Sequence, residues 1–207
     1  MAAARRQMDP QPYEMPYDPV FPVSAYALAT TAHMAKYGTT TRQLSEVSVA
    51  FRKHALLNPT AVMKKPITSD DHASARRITE PLGLLDYCLI NDGAVCMILT
   101  TSDRAKDLAK PPVLISGVGA RDAFERSAIS NFDQDFWYQE IKDAGTQAFE
   151  MAGVNHDDVD ALMCYDNFSP TVLFSLEGLG YCGQGESGTY VQDGTLQLGN
   201  KLPTNTD

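Results

Sequence analysis

Apolar residues recur at every third or fourth position in two early stretches of the chain, a spacing that is typical of amphipathic helices. The first stretch predicts a helix over residues 24–37, with Ser24 as its N-cap and Gly38 as its C-terminal stop. The second predicts a helix that follows three threonines and ends before Pro59, because the residue before a proline disfavours helical backbone. The apolar positions of this second helix are Leu44, Val47, Phe51 and Ala55.

After position 83 the apolar residues gather into short continuous runs, which are typical of buried strands. The predicted strands cover residues 84–90, 94–100, 113–118 and 159–164. The predicted helices of this part cover residues 102–108, 131–152 and 169–179. Strands that alternate with helices predict an α/β fold with a mostly parallel sheet.

Changes in composition divide the chain into four regions. Residues 1–23 contain five prolines, which disfavour helix and central strand alike, so an extended arm is predicted there. Residues 24–83 are helical and include a short third helix over 70–77. The strands and helices that follow form two further groups, at 84–120 and 121–207.

The charge of the chain narrows the classes of partner. Its 207 residues carry 17 lysines and arginines against 26 aspartates and glutamates, which gives a net charge of −9. Such a chain is a poor binder of nucleic acid, whose phosphates are held by lysine and arginine. The longest apolar run, residues 94–99, is much shorter than the ~18 residues of a membrane-spanning helix, so no membrane span is predicted.

Motifs of common cofactor and catalytic sites are weak. The glycine string at 178–183 matches a dinucleotide fingerprint, but it follows a predicted helix where that fingerprint follows a strand. The four histidines are scattered, so no metal site is predicted. The four cysteines lie in or beside apolar runs without a Cys-x-x-Cys pair, and this usage predicts reduced thiols in a cytoplasmic protein.

One junction carries candidate chemistry. Tyr165 and Asp166 follow the predicted strand that ends at Cys164 and precede the helix that Ser169 caps. Ligands of α/β sheets bind beyond the carboxyl ends of strands, where the N-terminus of the next helix adds partial positive charge. A phenol there could exchange a proton with a substrate hydroxyl or stabilise an oxyanion. The alternative is an ordinary tyrosine whose hydroxyl bonds to backbone, and the residues alone slightly favour that interpretation.

Several motifs, spaced along the chain, agree with one family. They are Leu85-Asp86-Tyr87-Cys88, Asn91-Asp92-Gly93-Ala94, Cys164-Tyr165-Asp166-Asn167-Phe168, Leu176-Glu177-Gly178-Leu179-Gly180, Gly185-Glu186 and Leu202-Pro203-Thr204-Asn205-Thr206. Together with the helix–threonine–helix start, they resemble the thiolase superfamily, and within it the sterol-carrier-type branch. The resemblance covers residues 12–207.

This resemblance implies a thiolase fold of two similar α/β halves with a helical loop region, usually in a homodimer, that acts on acyl-CoA thioesters. It implies an incomplete fold here, with 24–83 as the loop region, 84–120 as the end of the first half and 121–207 as the start of the second. The half with the nucleophilic cysteine is then expected before Met1, so none of the four cysteines is that nucleophile. Coenzyme A enters as part of the substrate, and no separate cofactor is expected.

Tyr165 departs from the sterol-carrier-type pattern, which generally has a histidine there. A tyrosine resembles the thiolase-like aldolases of steroid side-chain degradation, which cleave a β-hydroxyacyl-CoA by a retro-aldol reaction. This resemblance assigns Tyr165 and Asp166 to catalysis, with Tyr165 as general base on the β-hydroxyl. It assigns substrate binding to Asn167, Phe168 and Asn205. It also implies a small OB-fold partner with a zinc-ribbon-like element.

Two alternatives remain open from the sequence. One is a thiolytic acyl-CoA acyltransferase, and the other is a non-catalytic thiolase-like scaffold subunit. The polar stretch at 64–77 is the first place to look for coenzyme A contacts.

Overall fold

The computed structural model describes residues 22–121 and 137–206. The helices of these residues are α1 (Val23–Tyr37), α2 (Thr41–Leu57), α3 (Ser69–Ser74), α4 (Ser102–Ala105), α5 (Tyr138–Ala152), α6 (Ser169–Gly178) and α7 (Ser187–Tyr190). The strands are β1 (Arg77–Thr79) and β2 (Leu82–Gly83). Short 3-10 helices lie at Leu84–Asp86, His156–Asp158 and Gln192–Gly194.

The two predicted N-terminal helices are confirmed, and local signals mark the end of α1 and the start of α2. The N–H of Gly38, which has a left-handed backbone, donates to the carbonyl of Met34 and ends α1. Thr40 and Gln43 form a reciprocal capping box at the start of α2. The start of α1 differs from the prediction, since Pro22 occupies the N-cap position in place of Ser24.

Helix α6 occupies the centre of the core. Apolar side chains on three of its turns are buried, and α1 and α2 cover it with small and branched residues. The buried apolar residues of these three helices include Ala27, Leu44, Val47, Ala50, Val172, Leu173 and Leu176. The predicted helix over 169–179 is confirmed as Ser169–Gly178, with Pro170 in its first turn. The predicted N-cap is wrong by one residue, because Phe168 occupies that position and Ser169 is already helical.

The predicted strands are not formed within the described residues. Strands β1 and β2 form a two-stranded antiparallel sheet, and Leu162 pairs with Thr204 in a single parallel bridge. The runs at 94–100 and 113–118 have no regular structure, and Val95 and Ile98 are 90% and 92% exposed. A continuous apolar run shows that a segment suits burial, but a strand also needs a neighbouring strand to pair with. Among the described residues no such neighbour is present.

Other boundaries differ by a few residues. Helix α4 begins after Thr101 and ends at Ala105 in place of residue 108, and α5 is described from Tyr138 onward. The predicted start of that helix at 131 and most of the predicted arm, 1–23, lie outside the described residues. The domain boundaries at 83 and 120 stay predictions.

Two glycines let the segment after α4 lie against α5. A Cβ atom at Gly117 would collide with the carbonyl oxygen of Ala148, and one at Gly119 would collide with that of Ala144. Backbone therefore rests on helix backbone there, which only glycine permits. Close packing against α5 therefore explains why glycine occupies both ends of Gly117-Val118-Gly119.

A buried carboxylate joins three helices beside the core. Glu177 of α6 accepts hydrogen bonds from the amide and hydroxyl of Ser187 in α7, and its Oε1 lies 3.1 Å from Nε2 of His33 in α1. Burial alone raises the pKa of a carboxyl group, but the bonds from His33, Ser187 and the Gly185 backbone, with the charge of His33, outweigh it. The pKa of Glu177 is therefore lowered from its ordinary value of 4.5.

We expect Glu177→Gln to lower the free energy of unfolding at pH 7 by about 1–3 kcal/mol, because it weakens charge-assisted hydrogen bonds in a buried site. Since the carboxyl pKa is lower in the folded state, the stabilisation is present above pH 4.5 and is lost as pH falls through the folded value. Urea unfolding at pH 7 and at pH 3 measures it. A difference between the two proteins that stays constant down to pH 3 would contradict this account.

Most apolar side chains of the runs at 94–100 and 113–118 are exposed, and this exposed apolar surface predicts association of the chain. We expect the 207-residue chain to self-associate, and Val95→Lys with Ile98→Lys to raise the monomer fraction in light scattering. Leu57→Lys is the matched control, because Leu57 is an exposed apolar residue outside this surface. A monodisperse monomer of the unaltered chain would refute the prediction.

Candidate active site

A cavity of about 1170 Å³ opens between α2, the loop that follows it and the chain on either side of residue 165. Most of its wall is apolar. The apolar lining includes Val47, Phe51, Val62, Met63, Leu85 and Met163. A cavity of this size and character suits a ligand with a bulky apolar part.

The structure brings Tyr165, Asp166 and Asn205 together in the wall of this cavity. The side chain of Tyr165 is 72% exposed. Among the described residues its hydroxyl has no hydrogen-bond partner, so the alternative of a phenol bonded to backbone is not what the structure shows. The phenol is therefore available to a ligand.

The two other predicted substrate contacts, Asn167 and Phe168, lie behind the cavity wall. The Asn167 side chain accepts a hydrogen bond from Thr171, and its carbonyl accepts one from the amide of Cys88. The ring of Phe168 is buried and stacks on Tyr26, with ring centroids 4.4 Å apart. Both residues anchor the chain just after Tyr165, and their contact with substrate stays a prediction.

Asn205 fixes the backbone just before Tyr165. Its Oδ1 accepts a hydrogen bond from the amide of Cys164 at 2.8 Å, and its Nδ2 donates to the carbonyl of Cys164 at 2.9 Å. The backbone amide of Asn205 donates to the carbonyl of Leu162, and this hydrogen bond is part of the parallel bridge between Leu162 and Thr204. We call this two-sided contact of Asn205 with Cys164 the Asn205 bracket.

The first turn of α6 contributes its positive end to the site. Ser169 begins the helix and lines the cavity, where its hydroxyl lies 3.1 Å from that of Ser48. Ser48 in turn donates to the carbonyl of Leu85 and ties α2 to the opposite wall. The free amides at a helix N-terminus stabilise negative charge that develops nearby.

Three cationic side chains, Arg52, Lys64 and Lys65, line the same cavity. The Arg52 guanidinium donates to the carbonyl of Lys65, and Lys64 donates to the carbonyl of Asn58. Within residues 22–121 and 137–206 none of the three forms an ion pair with a carboxylate. Their positive charges are therefore available to an anionic ligand, and we call these three residues the cationic rim.

Two of the rim residues fall in the stretch that the sequence analysis indicated for coenzyme A. Arg52 was missed, although its position three or four residues from Ser48 and Ala55 places all three on one face of α2. His72 lies outside the cavity wall and bonds Asp86, with 2.7 Å between Nε2 and Oδ1. The other oxygen of Asp86 accepts a hydrogen bond from the backbone amide of Gly83. Asp86 lines the cavity, but both of its carboxylate oxygens are already bonded within the protein.

The cavity also contains two cysteines of unlike character. Burial, with a smaller contribution from the charge of Asp166, raises the pKa of the Cys164 thiol to about 12. Cys164 is therefore a neutral thiol near neutral pH and a poor nucleophile. Cys88 lines the cavity and is exposed.

The described residues contain neither a metal-binding cluster nor a membrane-spanning helix. No three His, Cys, Asp or Glu side chains of residues 22–121 and 137–206 are grouped so that they could hold a metal ion. In the same residues, no helix has the length and apolar character needed to cross a membrane.

Comparison with known proteins defines the family. The thiolase C-terminal domain-like family matches residues 122–207. The whole chain is 34% identical to a steroid side-chain-cleaving aldolase of Thermomonospora curvata, of which it covers 55%. Over 94% of its length it is 37% identical to a 17-hydroxy-3-oxo-4-pregnene-20-carboxyl-CoA lyase of Mycobacterium tuberculosis, of which it covers 51%.

A solved structure agrees with these relatives. The Ltp2-ChsH2(DUF35) aldolase superposes with a TM-score of 0.84 at 33% identity, over 96% of this chain and 54% of that one. Residues 122–207 therefore belong to the thiolase C-terminal domain-like family, and the chain has part of a thiolase-like α/β fold. The chain is similar to the steroid side-chain aldolases, and it spans about half the length of the curated relatives it matches.

Proposed function

We propose that this chain forms the substrate cavity of an enzyme that cleaves a carbon–carbon bond of a β-hydroxyacyl-CoA by a retro-aldol reaction. The observation that carries the proposal is the single cavity in which the exposed Tyr165 phenol, an apolar wall and the cationic rim meet. The phenol would transfer a proton, the apolar wall would bind the acyl group, and the cationic rim would bind the phosphates of coenzyme A.

The phenol answers the requirement for proton transfer. Tyr165 acts as its phenolate: it takes the proton of the substrate β-hydroxyl, the β-oxygen forms a carbonyl, and the bond between the α- and β-carbons breaks. The electron pair of that bond passes to the thioester as an enolate, whose α-carbon takes up the proton from the Tyr165 phenol and so restores the phenolate. The products are a carbonyl compound and a shortened acyl-CoA, and no oxidant or reductant is consumed.

The other two parts answer the requirements of binding. The apolar wall suits a bulky acyl group, and the cationic rim suits the phosphates of coenzyme A. One relative is named for a pregnene-carboxyl-CoA substrate, so a steroid side chain is the acyl group that we propose. Coenzyme A arrives as part of the substrate, and the mechanism uses no further cofactor.

A partner protein belongs to the proposal. The similar solved structure is a complex with a DUF35 protein, which supports a partner of that class for this chain. The OB-fold and zinc-ribbon-like element of that partner are what the family resemblance implies. We further propose that the enzyme is a homodimer in the cytoplasm.

We expect Tyr165→Phe in the native protein to lower kcat for a β-hydroxyacyl-CoA by about 100-fold or more, with KM changed less than about twofold. Only the proton-transferring hydroxyl is removed, so binding remains. Tyr138→Phe is the matched control, because Tyr138 begins α5 and does not line the cavity.

Three outcomes of this assay decide between functions. Equal turnover by Tyr165→Phe refutes the proposed role of the phenol. Turnover that requires free coenzyme A and forms two acyl-CoA products identifies a thiolytic acyltransferase. A native protein that binds its partner without turnover is a scaffold subunit.

The cationic rim generates a separate prediction. We expect Lys64→Glu with Lys65→Glu to raise KM for the CoA thioester by about tenfold, and kcat to change little, because the phosphates are remote from the breaking bond. Lys53→Glu is the control, since Lys53 bonds Gln197 and lies outside the cavity wall. An equal rise of KM in the control variant would show a general charge effect.

A further inference from the structure

His54 is a buried histidine that neither lines the cavity nor packs as a simple apolar residue. It lies in the last turn of α2 and is 2% exposed. Its Nδ1 is 3.0 Å from the carbonyl oxygen of Asn205, and its Nε2 is 3.1 Å from the amide of Leu198. Each ring nitrogen therefore meets a backbone group of a different loop segment.

These backbone partners define the tautomer of the ring. An amide N–H can only donate, so Nε2 of His54 carries a lone pair toward Leu198. A carbonyl oxygen can only accept, so Nδ1 carries the hydrogen and donates it to Asn205. The neutral ring with its proton on Nδ1 satisfies both contacts, and the other neutral tautomer satisfies neither.

The His54 contact holds Asn205 in an uncommon backbone conformation. Asn205 has a φ of +48°, in the left-handed region that residues other than glycine adopt less often, asparagine more readily than most. In this conformation its side chain reaches both backbone groups of Cys164 and forms the Asn205 bracket. The residue after Cys164 is Tyr165.

We propose that His54 is a positioning residue for Tyr165. By holding the Asn205 carbonyl, His54 keeps Asn205 in its left-handed conformation, and the Asn205 bracket then fixes the backbone from which the Tyr165 phenol enters the cavity. The inference rests on the proposed function, because the position of Tyr165 matters only where its phenol reacts. A histidine that merely fills the core would affect stability alone.

Two substitutions in the native protein separate these roles. His54→Leu keeps the bulk and removes both hydrogen bonds, whereas the amide of His54→Gln can accept from Leu198 and donate to Asn205. We expect His54→Leu to lower kcat at least tenfold with KM within twofold, and His54→Gln to recover kcat to within about threefold. Unchanged kcat in His54→Leu, measured below its melting temperature, overturns the proposal.

His33→Leu controls for loss of stability. His33 is also a buried histidine, and its partners Thr39 and Glu177 lie away from the cavity. We expect this variant to lose stability and keep its kcat. A loss of kcat equal to that of His54→Leu would show that any buried histidine has this effect and would overturn the proposal.

A double-mutant cycle tests the route through Tyr165. If His54 acts through the phenol, His54→Leu has no further effect on kcat when Tyr165 is already phenylalanine. Full additivity of the two effects overturns the proposed route.

Amide hydrogen exchange tests the bracket without any activity. We expect His54→Leu to speed exchange at Cys164, whose amide donates to Asn205, and His54→Gln to restore its protection. Unchanged exchange at Cys164 overturns the inference whatever the activity. Full turnover by Tyr165→Phe with faster exchange at Cys164 instead places the failure in the proposed function.

Discussion

The burial of α6 on nearly all of its sides is the constraint on which the rest of the structure depends. Eight of its ten residues are buried, so the surrounding helices have to approach it closely. At Gly178 a Cβ would lie 2.5 Å from Cβ of Ile141, which shows how near α5 comes. At the same end Glu177 uses its carboxylate to join α1 and α7. The core therefore holds α6 along most of its length, and Tyr165 lies on the chain that leads into this helix.

The backbone on both sides of Tyr165 is restrained by contacts, whereas the Tyr165 side chain has no hydrogen bond among the described residues. Cys164 is held by the Asn205 bracket, Asn167 accepts the Cys88 amide, and Phe168 stacks in the core. Tyr165 and Asp166, the two residues between these anchors, line the cavity. A reacting group has to keep its hydrogen-bonding capacity for the substrate, and this arrangement leaves the phenol unbonded while restraining its backbone.

The chain is negatively charged overall, but positive side chains gather at the cavity, where they suit an anionic ligand. The chain has a net charge of −9, yet the side chains of the cationic rim gather at one cavity. The overall negative charge disfavours large polyanions such as nucleic acid, whereas the local positive charge remains effective within the ~8 Å over which salt screens it. The neutral Cys164 thiol places no negative charge beside the phenol.

Local signals made the helices predictable. The capping box of Thr40 and Gln43 and the proline in the first turn of α6 act within a few residues, so they are readable without the fold. The strands were not predictable in the same way, because a strand forms only beside another strand. The runs at 94–100 and 113–118 have the composition of buried strands, but among the described residues no strand pairs with them.

The candidate site likewise has residues that sequence motifs predicted and residues that only the folded structure reveals. Tyr165, Asp166 and Asn205 were named from motifs, and the cavity brings them together. Phe168 belongs to the same motif and yet is buried, because a motif records which residues occur together and not which of them face a ligand. His54 could not be recognised in advance, since it bonds backbone groups 144 and 151 residues further along the chain. Backbone groups carry no residue identity, so such a contact leaves no pattern in the sequence. The side chains that we propose for the chemistry are thus readable from the sequence, whereas the contacts proposed to position them depend on the folded backbone.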